Sequence, residues 1–138
     1  MKNKTFWIGM VVVYVVMQVL GYVIHEVMMG DTYEKLASIF RPQAEMQSMM
    51  WIMMASSALG MLMFCYIFTR GHEGKGISEG VRYGVLIGLL MAGPMAIDLH
   101  VIFPVPGNVA MIWLISGIAS LAVAGAVFSA IYKPDPAG

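Results

Sequence analysis

Four long apolar stretches, separated by short polar segments, dominate the hydrophobic pattern of this chain. Each stretch exceeds the roughly 20 residues that a helix needs to cross a bilayer's hydrocarbon core. None of them alternates polar and apolar positions as an outer-membrane strand does, so the pattern predicts helices. The predicted spans are Phe6 to Met29, Met49 to Thr69, Val81 to Phe103 and Val109 to Tyr132.

The composition of the whole chain of 138 residues agrees with this pattern. The chain is 59% hydrophobic and 12% charged, with a mean hydropathy of +0.78, which is far from the balance of a soluble domain. We therefore expect an all-α fold: a four-helix transmembrane bundle forming one integral membrane domain over residues 1–138, with the lipid bilayer as partner. The net charge is zero, so no nucleic-acid partner is indicated.

Positive charges predict the orientation of the bundle. Only Lys35 and Arg41 lie in the first loop, whereas the other basic residues lie near the termini and in the middle loop. Cytoplasmic segments carry the excess of Lys and Arg, so both termini are expected in the cytoplasm of a multi-pass cell-membrane protein. The residues on the expected cytoplasmic side are Lys2, Lys4, Arg70, Lys75, Arg82 and Lys133.

The first loop has the pattern of a short amphipathic helix between spans one and two. Asp31 and Glu34 have the spacing of a capping box, and Pro42 ends the periodic segment. We expect this helix to lie in the outer interface with its apolar residues toward the bundle. Those residues are Tyr33, Leu36, Ile39 and Phe40.

The middle loop, RGHEGKGISEG, is rich in glycine and charge but lacks the strand and the GxxxxGK[ST] spacing of a phosphate-binding loop. We expect a flexible turn there. The rest of the chain offers no nucleophile with a base and no nucleotide motif, and Cys65 has no second cysteine to pair with. The protein is therefore not expected to be an enzyme.

Polar residues form a seam on the first predicted helix. At about 100° per residue, Tyr14, Gln18, Gly21 and His25 share one face, and Glu26 lies a quarter turn away. Such side chains are costly in lipid, so this face is expected inside the bundle or along a water-filled cavity.

The third predicted helix carries a matching face. It begins with Gly80, Gly84 and Gly88, at the spacing that permits close helix contact, and is expected to continue through Met91 and Met95 to Asp98. His25 and Asp98 lie at similar depth, whereas His100 points away from Asp98 on an ideal helix.

Two interpretations of this outer cluster remain open. His25, Glu26, Asp98 and His100 could bind a metal ion, relay protons or recognise a polar group. Alternatively, a hydrogen bond between His25 and Asp98 fixes helix one to helix three, and the other two residues reach for the interface. A haem held between His25 and His100 is a further alternative.

Methionine is the most unusual feature of the composition, with fifteen residues. Met46, Met50 and Met54 are spaced four apart on the second predicted helix, and thioethers are ligands for Cu(I). The Met50–Met54 and Gly80–Gly84 pairs resemble the MxxxM and GxxxG motifs of high-affinity copper transporters. Those transporters have three spans and a metal-collecting outer segment, whereas this chain has four spans and no such segment. The alternative is that methionine fills irregular apolar space.

Small residues on the last two helices, above all Gly80, Gly84, Gly88, Gly117 and Gly125, predict close helix packing. We expect a small non-enzymatic accessory subunit that forms a homo-oligomer or joins a larger membrane complex. The alternative function is a small transporter or metal-handling protein for copper, another divalent ion or haem. The sequence identifies no cofactor.

Overall fold

A computed structural model describes residues 3–134, and all regular secondary structure in this part of the chain is helical. Lys2, one of the residues behind the orientation prediction, and residues 135–138 lie outside it. The elements in chain order are α1 (Lys4–Tyr22), a π-helical segment (Val23–Met28), α2 (Gly30–Lys35), α3 (Gln43–Ser48), α4 (Met50–Arg70), α5 (Ile77–Ile102) and α6 (Gly107–Ile131).

Four of these helices are long and apolar enough to cross a membrane: α1 with its π-helical segment, α4, α5 and α6. The predicted all-α class with four long apolar helices is confirmed. The largest difference in boundaries concerns α5, which begins at Ile77 rather than Val81. Its first turn is helical although polar, because the side chain of Glu79 binds the preceding loop.

The long helices pack in the order α4, α1, α6, α5, and the α5–α6 contact is the most extensive. Between α4 and α5 the main described contacts are made by Tyr83, whose hydroxyl donates to the carbonyl oxygen of Phe64 at 2.6 Å. The ring centroids of the same two residues are 4.7 Å apart. Helices α4 and α5 are therefore held together chiefly at this level.

Both described chain ends and the α4–α5 loop lie at one end of the protein, which we call the base. The side chain of Asn3 donates to the carbonyl oxygen of Lys133 at 2.7 Å, and the amide of Lys133 donates to Thr5 Oγ1 at 3.0 Å. The hydroxyl of Ser129 donates to the carbonyl oxygen of Gly76 at 2.6 Å. The opposite end, formed by α2, α3 and the α5–α6 loop, we call the top.

The main core lies near the base and is largely aromatic. The ring of Phe128 makes edge-to-face contacts with Phe6 and Phe68, at centroid distances of 5.9 and 5.5 Å. Such pairs add about 0.5–1.5 kcal/mol each beyond the area they bury. Val13 and Cys65, both fully buried, extend this core upward along α1 and α4.

Glycine brings α5 and α6 into backbone contact. A Cβ added to Gly80 would lie 2.1 Å from the carbonyl oxygen of Gly125, and one added to Gly84 would lie 2.0 Å from that of Leu121. Gly88 and Gly117 are also closely opposed by the facing helix. All five glycines that the sequence selects for helix packing therefore lie in this interface.

The buried face of α5 continues upward from Gly88 through Ala92 and Ala96, and not through Met91 and Met95 as the sequence predicted. The reason is the size of the side chains: a spacing of four keeps small residues against α6. The two methionines, displaced by about one residue around the helix, are exposed instead.

At the top, the predicted single interfacial helix is wrong in one respect, because the structure has two short helices, α2 and α3. Helix α2 ends at Lys35, because the backbone of the following Leu36 leaves the helical region, and Pro42 immediately precedes α3. The apolar residues of the first loop do pack inward, against a small core of Met29, Val105 and Val109.

Candidate functional site

A groove with a volume of about 830 Å³ lies in the top half of the protein and is lined by all four long helices and α2. It opens sideways between α4 and α5, because these helices are held together mainly near the base. The top half of α4 from Trp51 to Ser56 is exposed as a consequence. The described helices therefore surround a space that is accessible from the side.

The walls of the groove combine flexible apolar side chains with hydroxyls. Methionine is the most frequent apolar residue in the lining. The groove is deep where its walls are formed by the small residues Gly21, Ala92 and Gly117. The methionines are Met17, Met53, Met61, Met91 and Met95, and the hydroxyl residues are Ser56, Ser57, Ser116 and Ser120.

Three aromatic side chains form a hydrogen-bonded chain at the top of the groove. The indole Nε1 of Trp113 donates to the hydroxyl oxygen of Tyr33 at 2.7 Å, and this oxygen lies 2.7 Å from Nδ1 of His25. The rings of His25 and Tyr33 are stacked, with an interplanar angle of 19°. We call these three residues the aromatic triad.

The donor inventory assigns the direction of this chain. The Tyr33 oxygen accepts from Trp113, and its own proton has two acceptors within reach, Nδ1 of His25 at 2.7 Å and the sulfur of Met29 at 3.5 Å. We assign the proton to His25, because an imidazole nitrogen at the shorter distance is a stronger acceptor than a thioether sulfur. A neutral His25 that accepts at Nδ1 carries its proton on Nε2. This second ring nitrogen has no hydrogen-bond partner within residues 3–134.

Local structure places His25 and Tyr33 together. Helix α1 changes at Val23 into π-helical turns, in which the amide of Met29 donates to the carbonyl oxygen of Ile24 at 3.1 Å. The wider turn alters the directions of the side chains that follow, and α2 then folds back over the groove. Short π-helical insertions are frequent at functional sites, and this one carries His25.

Burial raises the pKa of Tyr33, and the nearby Glu26 carboxylate raises it further, while the hydrogen bond from Trp113 has the opposite effect. The phenol is therefore neutral at physiological pH and keeps the proton that it donates to His25.

Two of the polar residues predicted for the site join α1 to α4. The hydroxyl of Tyr14 donates to the carbonyl oxygen of Met54 at 3.3 Å, and the side-chain amide of Gln18 donates to Ser57 Oγ at 3.2 Å. Neither side chain lines the groove. Their contacts hold α4 at the distance that leaves the groove open.

The predicted hydrogen bond between His25 and Asp98 is wrong. His25 bonds to Tyr33, and Asp98 is exposed without a polar contact in the described part of the chain. Glu26 is also exposed, and the Nδ1 of His100 donates to the carbonyl oxygen of Val105 at 2.6 Å. Of the four predicted residues, only His25 lines the groove.

The predicted metal ligands Met46, Met50 and Met54 are 39%, 45% and 47% exposed, and none of them lines the groove. The groove uses other methionines, because the face of α4 that turns toward α5 carries Met53 and Met61. Over residues 3–134, no group of three His, Cys, Asp or Glu side chains is arranged to hold a metal ion.

A second polar centre, at the base, was missed by sequence reasoning. The carboxylate of Glu79 is only 5% exposed and accepts hydrogen bonds from the amides of Glu73 and Lys75, at 2.6 and 2.8 Å, and from Nδ1 of His72 at 3.1 Å. The loop expected to be a flexible turn is thus wrapped around a carboxylate. Gly74 and Gly76 permit this, with φ of 76° and 72°.

The surface of the same loop is closed by ion pairs. The carboxylate of Glu73 contacts Lys75 and Arg82, which hold its pKa below the usual range. The sequence did contain a signal for this buried carboxylate. Closely spaced glycines precede α5, and a glutamate lies in the first turn of that helix, where a negative charge is stabilised. Within residues 3–134, the polar partners of Glu79 all come from this loop, so its carboxylate holds the loop to the start of α5.

The chain matches no protein-family model, no curated protein and no solved structure. Its function has to be inferred from the groove and its residues.

Proposed function

We propose that this protein is a non-enzymatic, multi-pass membrane protein that binds a small molecule from the bilayer in the groove between α4 and α5. In this proposal it is a four-helix transmembrane bundle in the cell membrane, with both termini in the cytoplasm and the groove in the outer leaflet. It acts as a small accessory protein whose outer polar cluster receives a ligand.

The distribution of charge supports this orientation. Basic residues are concentrated at the base, whereas only Lys35 and Arg41 belong to the top. An excess of Lys and Arg marks the cytoplasmic side of membrane proteins, so the base is assigned to the cytoplasm. The described basic residues at the base are Lys4, Arg70, Lys75, Arg82 and Lys133.

The groove is the observation that carries the binding proposal. Its volume of about 830 Å³ lies within the range of roughly 300–1,000 Å³ that small-molecule sites occupy. It combines apolar walls with a few polar groups at one end, and it opens toward the side where lipid would be. A molecule dissolved in the bilayer could enter without crossing the polar loops.

One observation favours metal handling as a second candidate function. Five thioethers and the imidazole of His25 line the same groove, and both groups bind Cu(I). If the protein handles metal, the metal path uses Met53, Met91 and Met95 rather than the methionines selected from the sequence.

A cavity-filling substitution tests the proposal. A Cβ at Gly21 meets no atom within 4 Å, and Gly21 lines the groove, so Gly21→Phe places a ring in the groove without a backbone clash. Gly60→Phe is the matched control, because Gly60 is equally free of contacts but does not line the groove. Wild type and both variants are extracted with their surrounding lipid, and bound compounds are quantified by mass spectrometry.

We expect one compound, near one copy per protein, in wild type and Gly60→Phe and its loss in Gly21→Phe. Equal contents in all three preparations would contradict the proposal. Copper that follows the same pattern, measured on the same samples, would replace it with the metal-handling function. Particle mass is measured as well: a dimer that Gly21→Phe converts to a monomer, with no bound compound, would show that a second copy fills the groove and would overturn ligand binding.

A further inference from the structure

We infer that the ligand of the groove is an uncharged amphiphile whose head carries a hydrogen-bond acceptor such as a ketone carbonyl, received by Nε2–H of His25. This inference rests on the proposed function and adds the chemical class of the ligand. It follows from the charge of the lining, the free hydrogen-bonding positions and the division of the groove into a polar and an apolar end.

The lining disfavours a charged head group. Among residues 3–134, no Lys, Arg, Asp or Glu side chain lines the groove, and His25 is the one basic residue in the lining. A phosphate or carboxylate placed there would lose its hydration without a cationic partner, and the nearby carboxylate of Glu26 would repel it. A quaternary ammonium head would find no carboxylate among the described lining residues, and its contacts would be with the aromatic rings of the triad and the nearby Glu26.

The aromatic triad leaves one donor for the ligand. Trp113 donates to Tyr33, and Tyr33 donates to His25, so the protons of both are already in use. The hydroxyl of Ser116 lies 3.4 Å from the carbonyl oxygen of Trp113, to which it donates. Of the aromatic triad, only the N–H of His25 is left to donate to a ligand carbonyl oxygen, and the hydroxyl of Ser56 on α4, which has no hydrogen bond within residues 3–134, is a second donor in the lining.

The lower groove suits an apolar tail. From His25 down to Met17 the α1 wall spans eight residues, or about 12 Å at the usual rise per residue. Met17, Met61 and Leu121 line its lower end, together with the hydroxyls of Ser57, which accepts from Gln18, and Ser120. Methionine adapts to chains of different shape, so the head group supplies most of the selectivity.

Four probes with the same dodecyl chain test the inference: dodecyl methyl ketone, dodecane, dodecyl phosphate and dodecyltrimethylammonium. Affinity for each is obtained from the rise in melting temperature of the purified protein with probe concentration, because a ligand that binds only the folded state stabilises it by mass action. Each rise is corrected by the rise that the same probe causes in Gly21→Phe, which removes general detergent effects.

We expect the ketone to bind about fivefold more tightly than dodecane, the factor that one net hydrogen bond supplies, and dodecyl phosphate to bind more weakly than dodecane. Tighter binding of dodecyltrimethylammonium than of the ketone would show that the aromatic rings receive a cation and would overturn the inference. His25→Phe keeps an aromatic ring but no N–H, and should make the ketone and dodecane equal. His25→Gln restores a donor and should recover part of the preference, which separates a lost hydrogen bond from a general loss of packing.

The outcomes separate the inference from the proposed function. If the ketone and dodecane stabilise wild type equally, and Gly21→Phe abolishes both effects, the groove binds apolar molecules but the inference about the head group is wrong. A preference for dodecyl phosphate would also overturn the inference. If Gly21→Phe responds to every probe as wild type does, the groove is not the binding site and both proposals fail.

Discussion

At the base of this protein the long helices meet through glycine and phenylalanine, whereas at the top α4 and α5 diverge around a groove lined by methionine. At the base, α5 and α6 are in backbone contact, and the rings of Phe6, Phe68 and Phe128 close the centre. At the top, the facing side chains of α4 and α5 are large and flexible, and α4 is exposed from Trp51 to Ser56.

The difference shows how residue size divides one helix assembly into a closely packed half and a half with an open groove. In a bilayer, lipid tails are as apolar as the side chains, so helices associate through close packing and polar contacts rather than through a hydrophobic driving force. Glycine supplies that packing between α5 and α6. In the top half, α4 and α5 share neither close packing nor polar contacts, which leaves the groove between them open.

The largest effect is expected from adding a side chain to a glycine at the α5–α6 interface, where the two backbones are in contact. Gly84→Ala places a Cβ 2.0 Å from the carbonyl oxygen of Leu121, so the helices must separate, and we expect a loss of about 3 kcal/mol in the free energy of unfolding. Unfolding by sodium dodecyl sulfate in mixed micelles, followed by circular dichroism, measures it.

The matched control for this substitution is Gly93→Ala in the same helix, where an added Cβ meets nothing within 4 Å. It should leave the free energy of unfolding unchanged or raise it by up to about 1 kcal/mol, because alanine is the better helix former. If the two substitutions had equal effects, backbone contact would not be what distinguishes the α5–α6 interface.

An intermediate effect is expected at the buried carboxylate of the base. Glu79→Gln replaces one acceptor oxygen by an amide nitrogen that faces backbone N–H donors, which leaves a buried donor unsatisfied. We expect a loss of about 2 kcal/mol in the free energy of unfolding, measured by the same titration, and faster hydrogen exchange at the amides of Glu73 and Lys75.

Glu73→Gln is the control, since that carboxylate is exposed and binds only the surface charges of Lys75 and Arg82. It should leave the free energy of unfolding close to the wild-type value. If Glu79→Gln lowered the free energy of unfolding no more than Glu73→Gln does, the loop would fold without the buried carboxylate. Glu79 would then not be what stabilises the loop at the base.

The smallest effect is expected at the top. Tyr33→Phe removes the hydroxyl between Trp113 and His25, which should lower the free energy of unfolding by about 1 kcal/mol. It should also shift the emission of Trp113, recorded in a background with Trp7 and Trp51 replaced by Phe, because its indole N–H loses its acceptor.

Tyr22→Phe serves as the control for Tyr33→Phe, since Tyr22 is 64% exposed and makes no hydrogen bond within residues 3–134. Neither the free energy of unfolding nor the Trp113 emission should change. An unchanged emission in Tyr33→Phe as well would show that the aromatic triad does not form in the purified protein, and the polar end of the groove would lose its basis.

Much of the architecture was predictable because it depends on local quantities. The length and apolarity of each span follow from the residues within it, and glycines spaced four apart mark the face that meets α6. His25, which the sequence singles out as a polar residue in an apolar span, lines the groove. In each case the relevant pattern lies within one helix.

The partners of His25 were not predictable in the same way. An ideal helix directs it toward Asp98, but the π-helical segment changes its direction, and Tyr33 arrives from α2 through a loop whose path no periodicity encodes. Glu79 was overlooked for a related reason: its ligands are backbone amides, and these have no residue-specific signature.

By itself the sequence determined the number, length and apolar character of the helices, their small-residue faces and the concentration of charge near the termini, because each depends on residue type and spacing along one segment. Only the tertiary structure decided that α4 and α5 diverge, that methionines other than those selected line the resulting groove, and that Tyr33 and Trp113 meet His25. These outcomes depend on how four helices of unequal side-chain size pack against one another, and that is a property of the whole assembly.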